Sequence, residues 1–74
     1  MMYLIDSAKL KYILATERCL KLNRVSKMCG MHADYISNAI ETGRISEKVV
    51  KALDDKFEIN PVRYVIGWKG GNNG

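Results

Sequence analysis

Glutamine is absent from this chain, and histidine, proline, tryptophan and phenylalanine each occur once. One histidine, no glycine-rich phosphate loop and no carboxylate pair in an evident cleft leave little for an enzyme to work with. A domain this small seldom encloses a pocket, so no catalytic activity is expected. Cysteine is equally scarce. Cys19 and Cys29 make no disulfide framework, and in a reducing compartment both are expected as small core side chains. With His32 they still want a fourth ligand at metal-binding spacing, so neither a metal nor another cofactor is expected. Long apolar runs are missing as well. The opening stretch, Met1 to Ile5, is far too short for a membrane span or the apolar region of a signal peptide, which predicts a cytoplasmic protein with no membrane partner.

The composition that remains is globular. Seventy-four residues, 47% apolar and 27% charged, make one small domain near the lower size limit for a core without staples. Twelve Lys and Arg stand against eight Asp and Glu, and the net charge of +4 suits a polyanionic partner without specifying one.

Hydrophobic periodicity lays out five helices. Met1 to Ile5 is apolar and partly β-prone, and reads as an arm packing on the domain or a strand open to a partner. Asp6 or Ser7 caps a first helix reaching about Arg18. Its inward stripe is Leu10, Ile13, Leu14 and Glu17 or Arg18, with Lys9, Lys11 and Tyr12 opposite. A second helix covers about Leu22 to Cys29, and a third about Ala33 to Glu41 with His32 near its N-cap. Gly43 stops the third helix in a loop, Thr42-Gly43-Arg44. Ile45 and Ser46 open a fourth, about Glu47 to Lys56, with Ser46 as N-cap and Ile45 stapled to Val50. Val49 or Val50, Leu53 and Phe57 form its buried face. Asn60 and Pro61 start a short fifth helix that turns Val62, Val65 and Ile66 inward and ends at Gly67. Residues 1–67 are thus one domain, and residues 68–74, from Trp68, a flexible polar tail. The predicted fold class is all-α.

Leu22 to Glu41 is the most informative stretch. It reads as two short helices joined by a tight glycine turn, a helix-turn-helix. Val25, Cys29, Met31, Ile36 and Ala39 are apolar where crossed helices require it, Ser26 is small under the crossing, and Gly30 stands where the chain leaves the first helix left-handed. His32, Ala33, Asp34, Ser37, Asn38 and Glu41 then face outward as candidate recognition residues. Among them only Asn38 is a good bidentate base reader, and no Lys or Arg lies between Met31 and Gly43. Asp34 and Glu41 add negative charge to that edge. Asp34 also suits the positive end of a helix, and His32 suits a cap. Tyr35 packs beside the first helix or offers its hydroxyl to a phosphate, while Tyr12, Tyr64 and Trp68 read as core edge.

Four segments, IDSAKLKYIL, VSKMCGMHADYIS, ETGRIS and KALDDKFEINPVRYVI, together resemble the lambda-repressor-like (Cro/C1, XRE) helix-turn-helix family over residues 6–67. The resemblance implies a compact five-helix domain, with the motif formed by helices 2 and 3, and a small regulator of a temperate-phage switch in a bacterial host. Family-like docking makes Arg24, Arg44 and Lys48 the candidate phosphate contacts. Leu22 departs from the pattern, since the family often has a phosphate-bonding Gln there. Two functions follow. The chain is expected to bind operator DNA as a transcriptional regulator, as a homodimer on a palindrome. Alternatively it is an antirepressor whose acidic third helix covers the basic DNA-binding surface of a partner phage repressor. The arm Met1 to Ile5 and the region from Tyr64 to Trp68 are the candidate dimer surfaces.

Overall fold

The apolar arm forms a strand because a segment forty residues further on pairs with it. In a computed structural model that describes Met1–Lys69, β1 (Met2–Leu4) runs antiparallel to β2 (Arg44–Ser46), with Met2 opposite Ser46, Tyr3 opposite Ile45 and Leu4 opposite Arg44. The ladder extends past both ends: Glu47 N–H donates to the Met1 carbonyl at 2.9 Å, and Ile5 N–H to the Gly43 carbonyl at 3.0 Å. On the arm's other edge, Asp6 N–H donates to the Tyr64 carbonyl at 2.7 Å and Ile66 N–H to the Leu4 carbonyl at 2.9 Å, flanking an antiparallel bridge between Ile5 and Val65. Side chains alternate accordingly, Tyr3 and Ile5 toward the core and Met2 and Leu4 toward solvent.

This layer corrects the all-α expectation. The described residues form a mixed α/β domain of four α-helices and a two-stranded antiparallel sheet, not five helices. The segment read as loop and helix opening, Arg44 to Ser46, is a strand because Gly43 ends the preceding helix in the left-handed region (φ +78°) and leaves β-branched Ile45 opposite Tyr3. The expected fifth helix shrinks to one 3-10 turn, Pro61–Arg63. Its start signals act as read: Pro61 occupies the first turn and the Asn60 side chain accepts from Val62 N–H at 3.0 Å. The turn stops there because Tyr64 and Ile66 give their backbone groups to the arm. Val65 is buried as expected, but Val62 and Ile66 point outward, each more than half exposed.

α1 (Ser7–Tyr12) starts at Asp6, whose carboxylate accepts from Lys9 N–H at 3.2 Å, and continues as a π-helical segment, Ile13–Glu17. Leu10, Ile13 and Leu14 are buried, whereas Glu17 and Arg18, offered as the end of that stripe, stay exposed. Glu17 forms instead a bidentate pair with Arg63 at 2.9 and 2.7 Å, which holds its carboxyl below the usual carboxylate range and raises the guanidinium. α2 covers Leu22–Met28, α3 Tyr35–Thr42 and α4 Glu47–Phe57. Ser46 caps α4 as read, accepting from Val49 N–H at 3.4 Å. The core lies between the helices and the sheet, with Leu10, Leu14, Val25, Ile36, Ile45, Val49, Leu53 and Ile59 fully enclosed.

Two further residues differ from expectation. Cys19, read as a core side chain, is exposed, while Cys29 is buried and its thiol is pushed up by desolvation. Trp68, assigned to the tail, is half-buried with its ring 5.2 Å from that of Tyr3 in an edge-on contact. Tail positions 70–74 lie outside the described residues. Tyr12 is exposed rather than at the core edge, and Tyr64 is buried with no hydrogen-bond partner for its hydroxyl among the described residues. Burial, with Cys29 and Asp54 acting in the same direction, pushes that hydroxyl's pKa up. Among the described residues no helix is long and apolar enough to cross a membrane.

Candidate nucleic-acid interface

The crossing of α2 and α3 is built around one hydroxyl. Ser26 is wholly enclosed, and its Oγ donates to the Leu22 carbonyl at 2.8 Å while accepting from Ile36 N–H at 2.9 Å. The first N–H groups of a helix have no partner within it, and Asp34, at the N-cap of α3, supplies no side-chain cap. Ser26 therefore caps α3 from the neighbouring helix. Smallness at this position was readable from the pattern, whereas the hydroxyl's second task was not. Val25, Cys29, Ile36 and Ala39 are buried around it and Met31 is half-buried. Gly30 takes φ +79° and turns the corner.

α3 begins two residues later than the sequence predicts. His32, Ala33 and Asp34 form a turn before it, in which Tyr35 N–H donates to the His32 carbonyl at 2.9 Å and Asp34 N–H to the His32 Nδ1 at 3.3 Å. Ser37, Asn38 and Glu41 project from one side of α3 and are exposed, as are His32 and Asp34, while Ala33 is half-buried. Among the described residues, none of Ser37, Asn38 and Glu41 spends its side chain on a hydrogen bond or ion pair. Tyr35 does: its hydroxyl accepts from Ser46 N–H at 2.9 Å and so covers the outer edge of β2.

A cation that sequence reasoning placed on the far side of the first helix lies beside this face. Lys11, Leu22, Ser37, Ile40 and Glu41 line a groove of 400 Å³. α1 is held there by Ser7, whose Oγ donates to the Ile40 carbonyl at 2.6 Å. Ser7 and Lys11 are one turn apart on α1 and share a face, and that spacing is the signal that was available. Lys11 brings positive charge to the groove that Glu41 also lines.

The expected phosphate contacts come from three different elements. Arg24, on α2, joins Lys21, Lys27 and Asn23 around an open concavity of 660 Å³. Lys48, on α4, folds over the glycine corner, its Nζ 3.6 Å from where a Cβ on Gly30 would stand. Arg44 emerges on the outer side of β2, opposite Leu4. Two cationic sites thus border the helix-turn-helix, the α2 cluster and Lys48 at the corner, and Arg44 belongs to the sheet. Among the described residues no three His, Cys, Asp or Glu side chains gather to hold a metal.

Comparison with family models, with curated proteins and with solved structures finds no match for this chain.

Proposed function

We propose that the domain is a small helix-turn-helix regulator that binds duplex DNA by laying the exposed side of α3 in the major groove. The observation that carries this reading is the Ser26-centred crossing, which fixes α3 against α2 while leaving Ser37, Asn38 and Glu41 unspent. Asn38 reads adenine, Ser37 and His32 donate to base or phosphate, and Lys11, Arg24 and Lys48 neutralise the backbone. An operator in a phage-type genetic switch is the target that the family resemblance implies. Selection from random duplexes at low salt tests the proposal. A preferred sequence is expected, with Asn38→Ala weakening that sequence more than random DNA. Arg24→Ala and Lys48→Ala are expected to weaken both and to lower the salt slope by about 0.9 each. Absence of any preferred sequence sinks the reading.

The antirepressor reading has an observation of its own. Asp34 and Glu41 are both exposed at the recognition edge, and no cation arises from α3. Such an edge suits the basic DNA-binding surface of a partner repressor. Asp34→Lys and Glu41→Lys discriminate between the two: they strengthen binding to DNA and weaken binding to a repressor.

A further inference from the structure

We propose that the outer face of α2 is the docking surface for an acidic amphipathic helix of a partner protein. The charge of the chain is not spread evenly over it. Residues 18–33 hold four cations, Arg18, Lys21, Arg24 and Lys27, and no acid, while the rest of the chain holds eight Lys and Arg against eight Asp and Glu. The whole net charge of +4 therefore belongs to α2 and the segment leading into it. Lys21, Arg24 and Lys27 follow one another at one-turn spacing around the 660 Å³ concavity, and among the described residues none of them has an ion-pair partner. No carboxylate lines the hollow. Charge of one sign gathered in a concavity focuses a field that draws the opposite sign.

The remaining lining side chains select the kind of anion. Met28 is 49% exposed beside the cations, and half-buried Leu20 offers a second apolar contact. A sugar–phosphate backbone has no apolar side to set against them, and no aromatic ring lines the hollow to stack a base. A helix with Asp or Glu at i, i+3 and i+7 and a Leu or Met between them meets both demands. Its carboxylates reach the three cations while its apolar stripe covers Leu20 and Met28. An unbranched methionine adapts readily to such a contact. The chain's own last five residues, Gly-Gly-Asn-Asn-Gly, carry no acidic or apolar side chain with which to fill the place. The hollow is also distinct from the groove beside α3. Leu22 lines that groove with Ser37 and Glu41, and Arg24 stands about 200° further round the α2 axis. Docking here does not require α3 to touch DNA.

Titration of the isotope-labelled full chain with a capped alanine-based peptide of that Glu and Leu pattern, followed by NMR up to about 1 mM peptide, tests the inference. Amide shifts are expected at residues 19–28 and not on the outward side of α3, and binding is expected to vanish when Gln replaces every Glu of the peptide. Lys27→Glu and Met28→Asp are each expected to weaken binding about tenfold. Both replace exposed side chains, and Arg24 is left in place because the duplex reading uses it. A peptide with Lys in place of one Glu is expected to regain affinity for Lys27→Glu, a rescue that a merely unfolded variant cannot produce. A peptide that does not bind, or one that binds whatever its charge, overturns the proposal, as does binding indifferent to both substitutions. Shifts at residues 19–28 with random duplex DNA but not with the peptide also overturn it and give the hollow to nucleic acid. Because no duplex enters the peptide titration, its failure leaves the DNA reading standing.

Discussion

Replacing Ser26 with alanine removes one oxygen atom and tests how the helix pair is held. Two bonds are lost, but they do not weigh equally. The Leu22 carbonyl keeps its place in the ordinary helical ladder of α2, so losing the Oγ donor leaves it satisfied. Ile36 N–H has no such fallback, since it lies in the first turn of α3 with no side chain from Asp34 to cap it. An orphaned buried N–H costs about 1–3 kcal/mol. Alanine returns roughly 0.5 kcal/mol through its better helix propensity. The net expectation is a loss of about 1–2 kcal/mol. A small domain shifts its Tm by roughly 4–8 °C for each kcal/mol, so Ser26→Ala is expected to melt about 4–16 °C below the parent. Against a total stability of about 0.05–0.15 kcal/mol per residue, this is a sizeable fraction. Urea unfolding followed by far-ultraviolet dichroism measures it, with the slope m confirming that the same surface is exposed. A loss below about 0.5 kcal/mol refutes the argument, because Ile36 N–H must then find another acceptor and the crossing does not depend on the hydroxyl.

Tyr64→Phe removes a buried hydroxyl without a partner among the described residues and is expected to be neutral or to stabilise by about 1 kcal/mol; a clear loss in chemical denaturation contradicts it. Above about pH 10 the unfolded chain ionises Tyr64 while the fold keeps it protonated, so the unfolded state binds fewer protons and stability falls as pH rises. Cys29 acts in the same direction from the thiol range upward, and Tyr64→Phe should flatten only the higher part of that alkaline limb. Glu17, whose carboxyl is depressed by Arg63, contributes stability above the ordinary carboxylate range and loses it on acidification; the gap between parent and Glu17→Gln in denaturation series should close as pH falls. Gly30→Ala should cost about 1–2 kcal/mol through its positive φ alone, since the new Cβ meets only Lys48 at ordinary contact distance, and Gly30→Asn should cost less.

The parts of the fold readable from sequence are those whose determinants sit within one or two turns of each other. The crossing of α2 and α3 needs only Val25, Ser26, Cys29, Gly30, Ile36 and Ala39, all inside fifteen positions, and each behaves as read. The caps at Asp6, Ser46 and Asn60 are equally local and equally visible. The sheet was hidden because its partners are far apart: nothing near Arg44 announces that Leu4 pairs with it, and nothing near Ile66 announces that Leu4 takes its N–H. For Pro61–Arg63 the local signals were right in kind, but pairing with the arm overrode the helix they open. Of the candidate site, the outward set on α3 was visible from periodicity. Lys11 was not, because a helical wheel for α1 does not reveal which neighbour its flank meets.

The arm also sets the order in which the chain can assemble. Within the domain, residues 1–6 leave the ribosome ahead of the rest, yet their two neighbours are made some forty and sixty residues later. During synthesis α1, α2 and α3 have their mutual contacts in hand while Tyr3 and Ile5 still wait, so the arm, made before these helices, is among the last parts of the domain to be locked. A fusion partner attached upstream of Met2 therefore bears on the closing step, and one attached beyond Lys69 bears on the strand that completes it.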